Sequence, residues 1–246
     1  MAEKVLYEEL TPKEFLERMK KAPIAYLPLG TLEWHGEHLP LGSDGIQSQG
    51  FMVELAKRVG GIVLPMIFLG PENYWIIDGK EYFHMDMSHT VKNGPKQLPG
   101  SAHRVGWNFL AIYLKNIFAR LRRAGFRIIV AHGHGPSTGL VRKHLEEWSR
   151  ELDVQLFHCW RDVEDDNGIQ TDHAATNETS LVMALRPELV QMENLSKDPN
   201  DWPEAVHGRL DPREHASPKL GNKAIDMQAD RMEKLLRKAL AKCKKG

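Results

Sequence analysis

LPLGTLEWHGEHLPLGSD, residues 27–44, opens as the end of a strand and closes as a cluster of ligand-type side chains. The strand starts upstream: Ile24 to Leu29 is an apolar run, which fits a strand buried on both faces of a parallel sheet, and Gly30 ends it. Behind it come Glu33, His35, Glu37, His38 and Asp44. Carboxylates and neutral imidazoles are good ligands for zinc, manganese or iron, and a set without thiolates suits hydrolysis better than a structural role. Glu33 and His35 are two apart, so in an extended segment their side chains leave one face while Trp34 leaves the other. Gly30, Gly36, Pro40 and Gly42 make the remainder a turning loop, the usual seat of catalytic groups on a rigid scaffold. Asp44 stands where a helix begins, because Ile46, Phe51, Met52, Leu55 and Val59 follow at helical spacing. Taken alone, Asp44 is equally an N-cap and each histidine a loop residue. The density of ligand types favours a metal site for the cluster as a whole.

Outward from this stretch, 246 residues fit one domain, 1–246, able to bury a core. Lys plus Arg and Asp plus Glu are both 33, so nothing predicts a nucleic-acid or membrane surface; a small molecule or a second copy of the chain is the expected partner. Cys159 and Cys243 make no disulfide framework. The acidic, broken N-terminus is no signal peptide, and no apolar run reaches the roughly 18 residues of a membrane span, so the expectation is a soluble, cytoplasmic protein.

Thr11-Pro12-Lys13-Glu14 carries the signs of a capping box and predicts a helix to about Lys21. Gly61 to Phe68 reads as a second strand with Pro65 at an edge or bulge. Gly70 to Gly100 lacks periodicity but holds Asn73, Trp75, Asp86 and His89, and reads as a wall or lid of the site and a subunit contact. Ser101 to about Gly125 predicts a helix. Arg127 to Ala131 is a third strand, with His132-Gly133-His134-Gly135-Pro136-Ser137 at its carboxyl end, where ligand groups of open α/β sheets collect. Leu140 to Glu151 predicts a helix and Val154 to Cys159 a fourth strand, with Trp160 placed to cover a ring substrate. An amphipathic helix closes the chain. Strands and helices alternating in this way predict an α/β fold, a three-layer αβα sandwich around a mostly parallel sheet.

Glu33-Trp34-His35-Gly36-Glu37-His38-Leu39-Pro40, followed by Asp44, resembles the E-x-H-G-x-H-L-P…D signature of the creatininase (creatinine amidohydrolase) family. The resemblance extends to about Leu185 and implies that Glu33, His35 and Asp44 are metal ligands, with Asp44 bridging two ions. It carries a further ligand to His134, with His132 standing where the family usually has Asn. The family's glutamate two residues beyond that histidine is here Pro136, which cannot coordinate. Asp172 to Ser180 resembles the family's H-A-G-x-x-E-T-S segment, which makes Glu178 the candidate replacement ligand and His173 the proton carrier, with Asp172 tuning or orienting it. Glu37 and His38 then support the ligands or face the substrate.

The family also implies one or two divalent ions (zinc, manganese, iron or cobalt), a homo-oligomer, often a hexamer, and hydrolysis of a small ring. Creatinine-binding members carry a tryptophan where this chain has Ile169 and Gln170. That departure and Pro136, with Trp34, Asn73, Trp75, Asp86 and His89 near the site, point to the branch that opens an oxidised inositol, and Trp34, His38, Trp75, His89 and Trp160 are the expected substrate contacts. The alternatives are a cyclic amide or formamide hydrolase and, from another class, a metal-binding protein without catalysis.

Overall fold

The computed structural model describes residues 3–83, 86–90, 92–100, 103–159, 172–202, 206 and 210–243. Trp160, the residue expected to cover a ring substrate, lies outside them. In chain order the elements are α1 (Pro12–Lys21), β1 (Ile24–Gly30), α2 (Ser43–Val59), β2 (Ile62–Val63), β3 (Ile67–Phe68) and β4 (Gly70–Pro71). Next come β5 (Tyr74–Ile77), β6 (Lys80–Phe83), β7 (Met87–Thr90), β8 (Gly94–Gln97), β9 (Arg104–Val105) and α3 (Trp107–Arg123). The chain continues with β10 (Ile128–Gly133), α4 (Gly135–Lys143), α5 (Leu145–Leu152), β11 (Gln155–Phe157), α6 (Thr176–Leu185), α7 (Pro212–His215) and α8 (Pro218–Cys243).

The central sheet runs β11-β10-β1-β2, with β3 also on β1, and every pairing is parallel. All seven residues of β1 are buried, as a strand covered on both faces requires. Ile24 and Tyr26 pack with Ile128 and Val130 against α2 and α8, through Met52, Leu55, Met232 and Leu236. Ala25, Leu27 and Leu29 pack with Ile129 and Ala131 against α3 and α5, through Leu110, Leu114, Phe118 and Trp148. Alternate residues of one strand therefore serve opposite cores, which makes the αβα sandwich. Each fully buried Leu or Phe contributes about 1.5–3 kcal/mol.

Local chemistry explains the boundaries. In α1 the Thr11 side chain accepts from Glu14 N while Glu14 accepts from Thr11 N at 2.8 Å, the expected capping box. The strand expected over 61–68 is split around Pro65 into β2 and β3, both parallel partners of β1. The helix expected from Ser101 begins at Trp107, because Arg104 and Val105 pair with Gly70 and Pro71. The helix expected over 140–151 starts earlier, at Gly135, and is interrupted at His144 to give α4 and α5. The stretch 70–100 folds into two antiparallel ribbons, β5–β6 and β7–β8. Asp78 and Gly79, both with positive φ, make the two-residue turn of the first.

Candidate metal centre

Four chain segments deliver ligand-type side chains to the carboxyl end of the sheet. Glu33 and His35 leave the loop after β1, and Asp44 sits in the first turn of α2. His134 follows β10, whose Gly133 pairs with Leu29, and its amide donates to Leu29 O at 2.8 Å. Gly133 has φ of 151°, and a Cβ there would fall 1.6 Å from Leu29 O, so only glycine lets the strands approach this closely. Glu178 lies in the first turn of α6.

His35 Nε2 is 3.6 Å from each of Glu33 Oε1, Asp44 Oδ2 and Glu178 Oε2. His134 Nε2 is 4.0 Å from Glu33 Oε2. Among the described residues three sets offer donor atoms within 4.8 Å of one another: Glu33–His35–His173, Glu33–Asp44–His134 and His35–Asp44–Glu178. The last two share Asp44. The His35 ring is fully buried, and its Nδ1 lies 3.2 Å from Glu33 O, which only accepts; Nδ1 therefore carries the proton and Nε2 presents a bare lone pair. Nε2 and Asp44 Oδ2 are both buried without a hydrogen-bond partner. Lone pairs facing lone pairs in a dry site are a fit for a divalent cation, and the oxygen and imidazole set suits zinc, manganese, iron or cobalt.

The electrostatics show the same strain. Burial, then the neighbouring Glu33 and Glu178, raise the Asp44 carboxyl well above its usual 3.8. Burial holds the His35 imidazole low, and lowers His134 to about 4, so both are neutral and able to ligate. Burial pushes Glu33 up, but the hydrogen bond from His173, together with the charge that the raised His173 carries, outweighs it and holds the carboxyl at about 2.

His173 stands beside this cluster. Its ring lies 4.4 Å from that of His35, and Nε2 is 3.3 Å from Glu33 Oε1. Burial opposes its charge, yet Glu33, Glu178 and Asp172 together raise it to about 9; with the side chain 41% exposed, solvent tempers that pull. Asp172 accepts from the amides of Asn177 at 2.6 Å and Glu178 at 3.0 Å, so it anchors the start of α6. The Ala174 amide donates to Glu178 Oε2 at 2.7 Å. Between His173 and α6, Ala174 is held at φ 55°, a strained position that sets the angle between the two.

The other expected site residues divide. His38 is buried and its Nε2 lies 2.9 Å from Thr179 Oγ1, so the ring braces the helix that carries Glu178. Trp34 is half-buried and its indole donates to Pro99 O at 2.8 Å, tying the loop to the end of the second ribbon. Trp75 and His89 are exposed on β5 and β7, and no donor set includes either. Glu37 is exposed. Two supports escaped the sequence reading. Thr179 holds His38, and Ser137 Oγ lies 2.9 Å from His134 Nδ1, fixing the ring. A serine three residues after a ligand histidine at a helix start was the available signal for the second.

The family model described as creatinine amidohydrolase, creatininase, matches residues 8–242. The chain belongs to the creatininase family. It is 26% identical over 220 residues to the creatinine amidohydrolase of Pseudomonas putida, covering 81% of this chain and 78% of that protein. It is 25% identical over 202 residues to the 3-dehydro-scyllo-inosose hydrolase of Thermotoga maritima, covering 77% of this chain but only 58% of that protein's length. A solved creatininase in its manganese form superposes with a TM-score of 0.70 at 22% identity, covering 97% of this chain and 99% of that one, a likeness of fold. Creatininase relatives are hydrolases, and in this member the family signature coincides with the donor cluster. Among the described residues no helix is long and apolar enough to cross a membrane.

Proposed function

We infer that this creatininase-family protein is a metal-dependent hydrolase that opens a small ring, with an oxidised inositol, 3-dehydro-scyllo-inosose, as the substrate that fits best. The observation that carries the hydrolytic reading is the pair of donor sets sharing Asp44, with the bare Nε2 of His35 aimed at three carboxylate oxygens. Glu33, Asp44 and His134 would hold one divalent ion, and His35, Asp44 and Glu178 a second. Such ions supply Lewis acidity and acidify water.

The chain's own groups supply the rest. Glu33 keeps His173 oriented through the Nε2 contact, which leaves Nδ1, buried and without a partner, to present a proton to the leaving atom. Asp172 and Ala174 hold the turn that sets His173 against α6. His38 and Ser137 fix Glu178's helix and His134, and that preorganisation is what catalysis at a metal site needs. Glu178, beside both His35 and Asp44, stands in for the glutamate that Pro136 displaces.

The inosose reading is supported by the Thermotoga relative and by Ile169 and Gln170 in place of the creatinine-binding tryptophan. The Pseudomonas relative, at similar identity, supports the second reading, hydrolysis of a cyclic amide. An assay of the metal-replete chain on 3-dehydro-scyllo-inosose and on creatinine decides between them. The first reading predicts turnover of the inosose, abolished in Glu178→Ala. Turnover of creatinine alone gives the second, and stoichiometric metal with no hydrolysis of any ring substrate removes both. The site is proposed to work in the cytoplasm and in a homo-oligomer.

A further inference from the structure

Arg104, on β9, is a cation sealed away without a hydrogen bond. Its side chain is 4% exposed, and Nε, Nη1 and Nη2 are all buried with no hydrogen-bond partner among the described residues. Nη2 lies 2.9 Å from Asp86 Oδ1, near enough to balance the charge but not aligned as a hydrogen bond. A guanidinium is a planar fork of five N–H donors, and buried donors of this kind are nearly always met by acceptor oxygens.

The pairing of its strand places Arg104 next to the donor cluster. Arg104 pairs in register with Gly70 of β4. A Cβ on Gly70 would fall 2.8 Å from Thr31 Oγ1 and 3.3 Å from His134 Cε1. Thr31 is fully buried, and its hydroxyl is a second polar group with no partner. The charge of Arg104 also reaches His134, where it opposes protonation. An unpartnered hydroxyl, the strand of an unpartnered guanidinium and a cluster histidine thus meet around one glycine that contributes no side chain.

We propose that Arg104 and Thr31 form an anion subsite beside His134 that takes a carboxylate of the substrate or product. It rests on the hydrolytic reading above. Water divides across the broken bond: its OH joins the carbonyl carbon, its remaining hydrogen goes to the departing nitrogen or carbon, and the acid so formed loses a proton at neutral pH. A carboxylate is therefore released whichever ring is opened. The Arg104 fork matches its two oxygens, and the Thr31 hydroxyl donates a further bond. Asp86 keeps the guanidinium neutralised while the subsite is empty. A neutral amide, lacking that charge, is the ligand the subsite rejects.

Calorimetric titration of propionate and propionamide into the full chain, as purified and after dialysis against EDTA, tests this. Propionate is expected to bind at least about ten-fold more tightly than propionamide in both preparations. Arg104→Met should abolish the preference and Thr31→Val weaken it, whereas Glu178→Gln, in the cation cluster, should keep it. Because Arg104→Met removes the cation that faces Asp86, the double variant Arg104→Met with Asp86→Asn removes both charges, and it should lose the preference while unfolding at the native temperature. A merely structural pair would change unfolding and leave the selectivity intact. No selectivity in the native chain, selectivity unchanged by Arg104→Met, or selectivity that disappears with EDTA overturns the subsite and leaves the hydrolase reading standing. Arg104-dependent selectivity in a chain that hydrolyses nothing sustains the subsite and removes the reading on which its use was based.

Discussion

His35 Nε2 and Asp44 Oδ2 face each other at 3.6 Å, both buried and both without a hydrogen-bond partner. Two acceptors held so close, in a fold that buries them from a loop and a helix start, need a proton or a metal cation between them, and the donor sets around them fit the metal. Glu178 belongs to only one of the donor sets containing Asp44. Glu178→Gln is therefore expected to weaken one class of manganese or zinc binding by about 10–100-fold and to leave the Glu33–Asp44–His134 set able to bind. Equilibrium dialysis reads this directly, and loss of all binding would show that the sets are not separable.

His38 acts through Thr179. Its ring nitrogen is 2.9 Å from the hydroxyl one residue beyond Glu178, and its backbone oxygen accepts from Gln191 N at 2.9 Å. His38→Ala is expected to cost about 1–3 kcal/mol of stability and about ten-fold in metal affinity, with the same direction for Thr179→Val. Thermal unfolding and metal titration check both, and a His38→Ala chain with native metal affinity but changed substrate affinity would assign His38 to the substrate instead.

The metal-free chain should be sensitive to alkali. His173 is raised from 6.5 to about 9, so the stability it contributes is present below 6.5 and lost as pH rises through 9. The Asp44 carboxyl, raised by burial and its carboxylate neighbours, acts in the same sense. Glu33, lowered from 4.5 to about 2, contributes above 4.5 and is lost as pH falls towards 2. Buried His35, His38, His132 and His134, all lowered from 6.5, lose their contribution as pH falls below 6.5, so the EDTA-dialysed chain is expected to melt highest near 6.5 and lower towards both 4.5 and 9, with His173→Gln flattening the alkaline limb. A melting temperature that rises towards pH 9 would contradict this arrangement of charges.

Cys159 is 1% exposed, and burial pushes its thiol up to about 12. Cys243, at the end of α8, is partly exposed and in contact with Gln155 Nε2 at 3.2 Å. A thiol reagent should titrate one of the two cysteines in the native chain and both after denaturation. Rapid modification of Cys159 in the folded state would show that this core opens easily.

How far the residues alone led depends on how local each signal is. β1 was readable because its burial on both faces makes the run apolar without interruption, and α1 because the capping box is complete within four residues. The contiguous Glu33–Asp44 stretch likewise carries its own spacing. The ribbons over 70–97 were missed although Asp78-Gly79 is a hairpin turn, since the flanking strands are largely exposed and show no apolar alternation. The start of α3 and the position of Arg104 depend on pairing with Gly70, and the role of His38 on a partner 141 residues away. No local pattern contains such contacts.

Metal content of the purified chain beside Asp44→Asn tests the centre most directly, because Asp44 belongs to both of the sets that would hold ions. One to two equivalents of a divalent ion in the native chain, with at least one equivalent lost in a folded Asp44→Asn chain, is the expected result. Equal metal content and equal affinity in the two would contradict a centre built on Asp44.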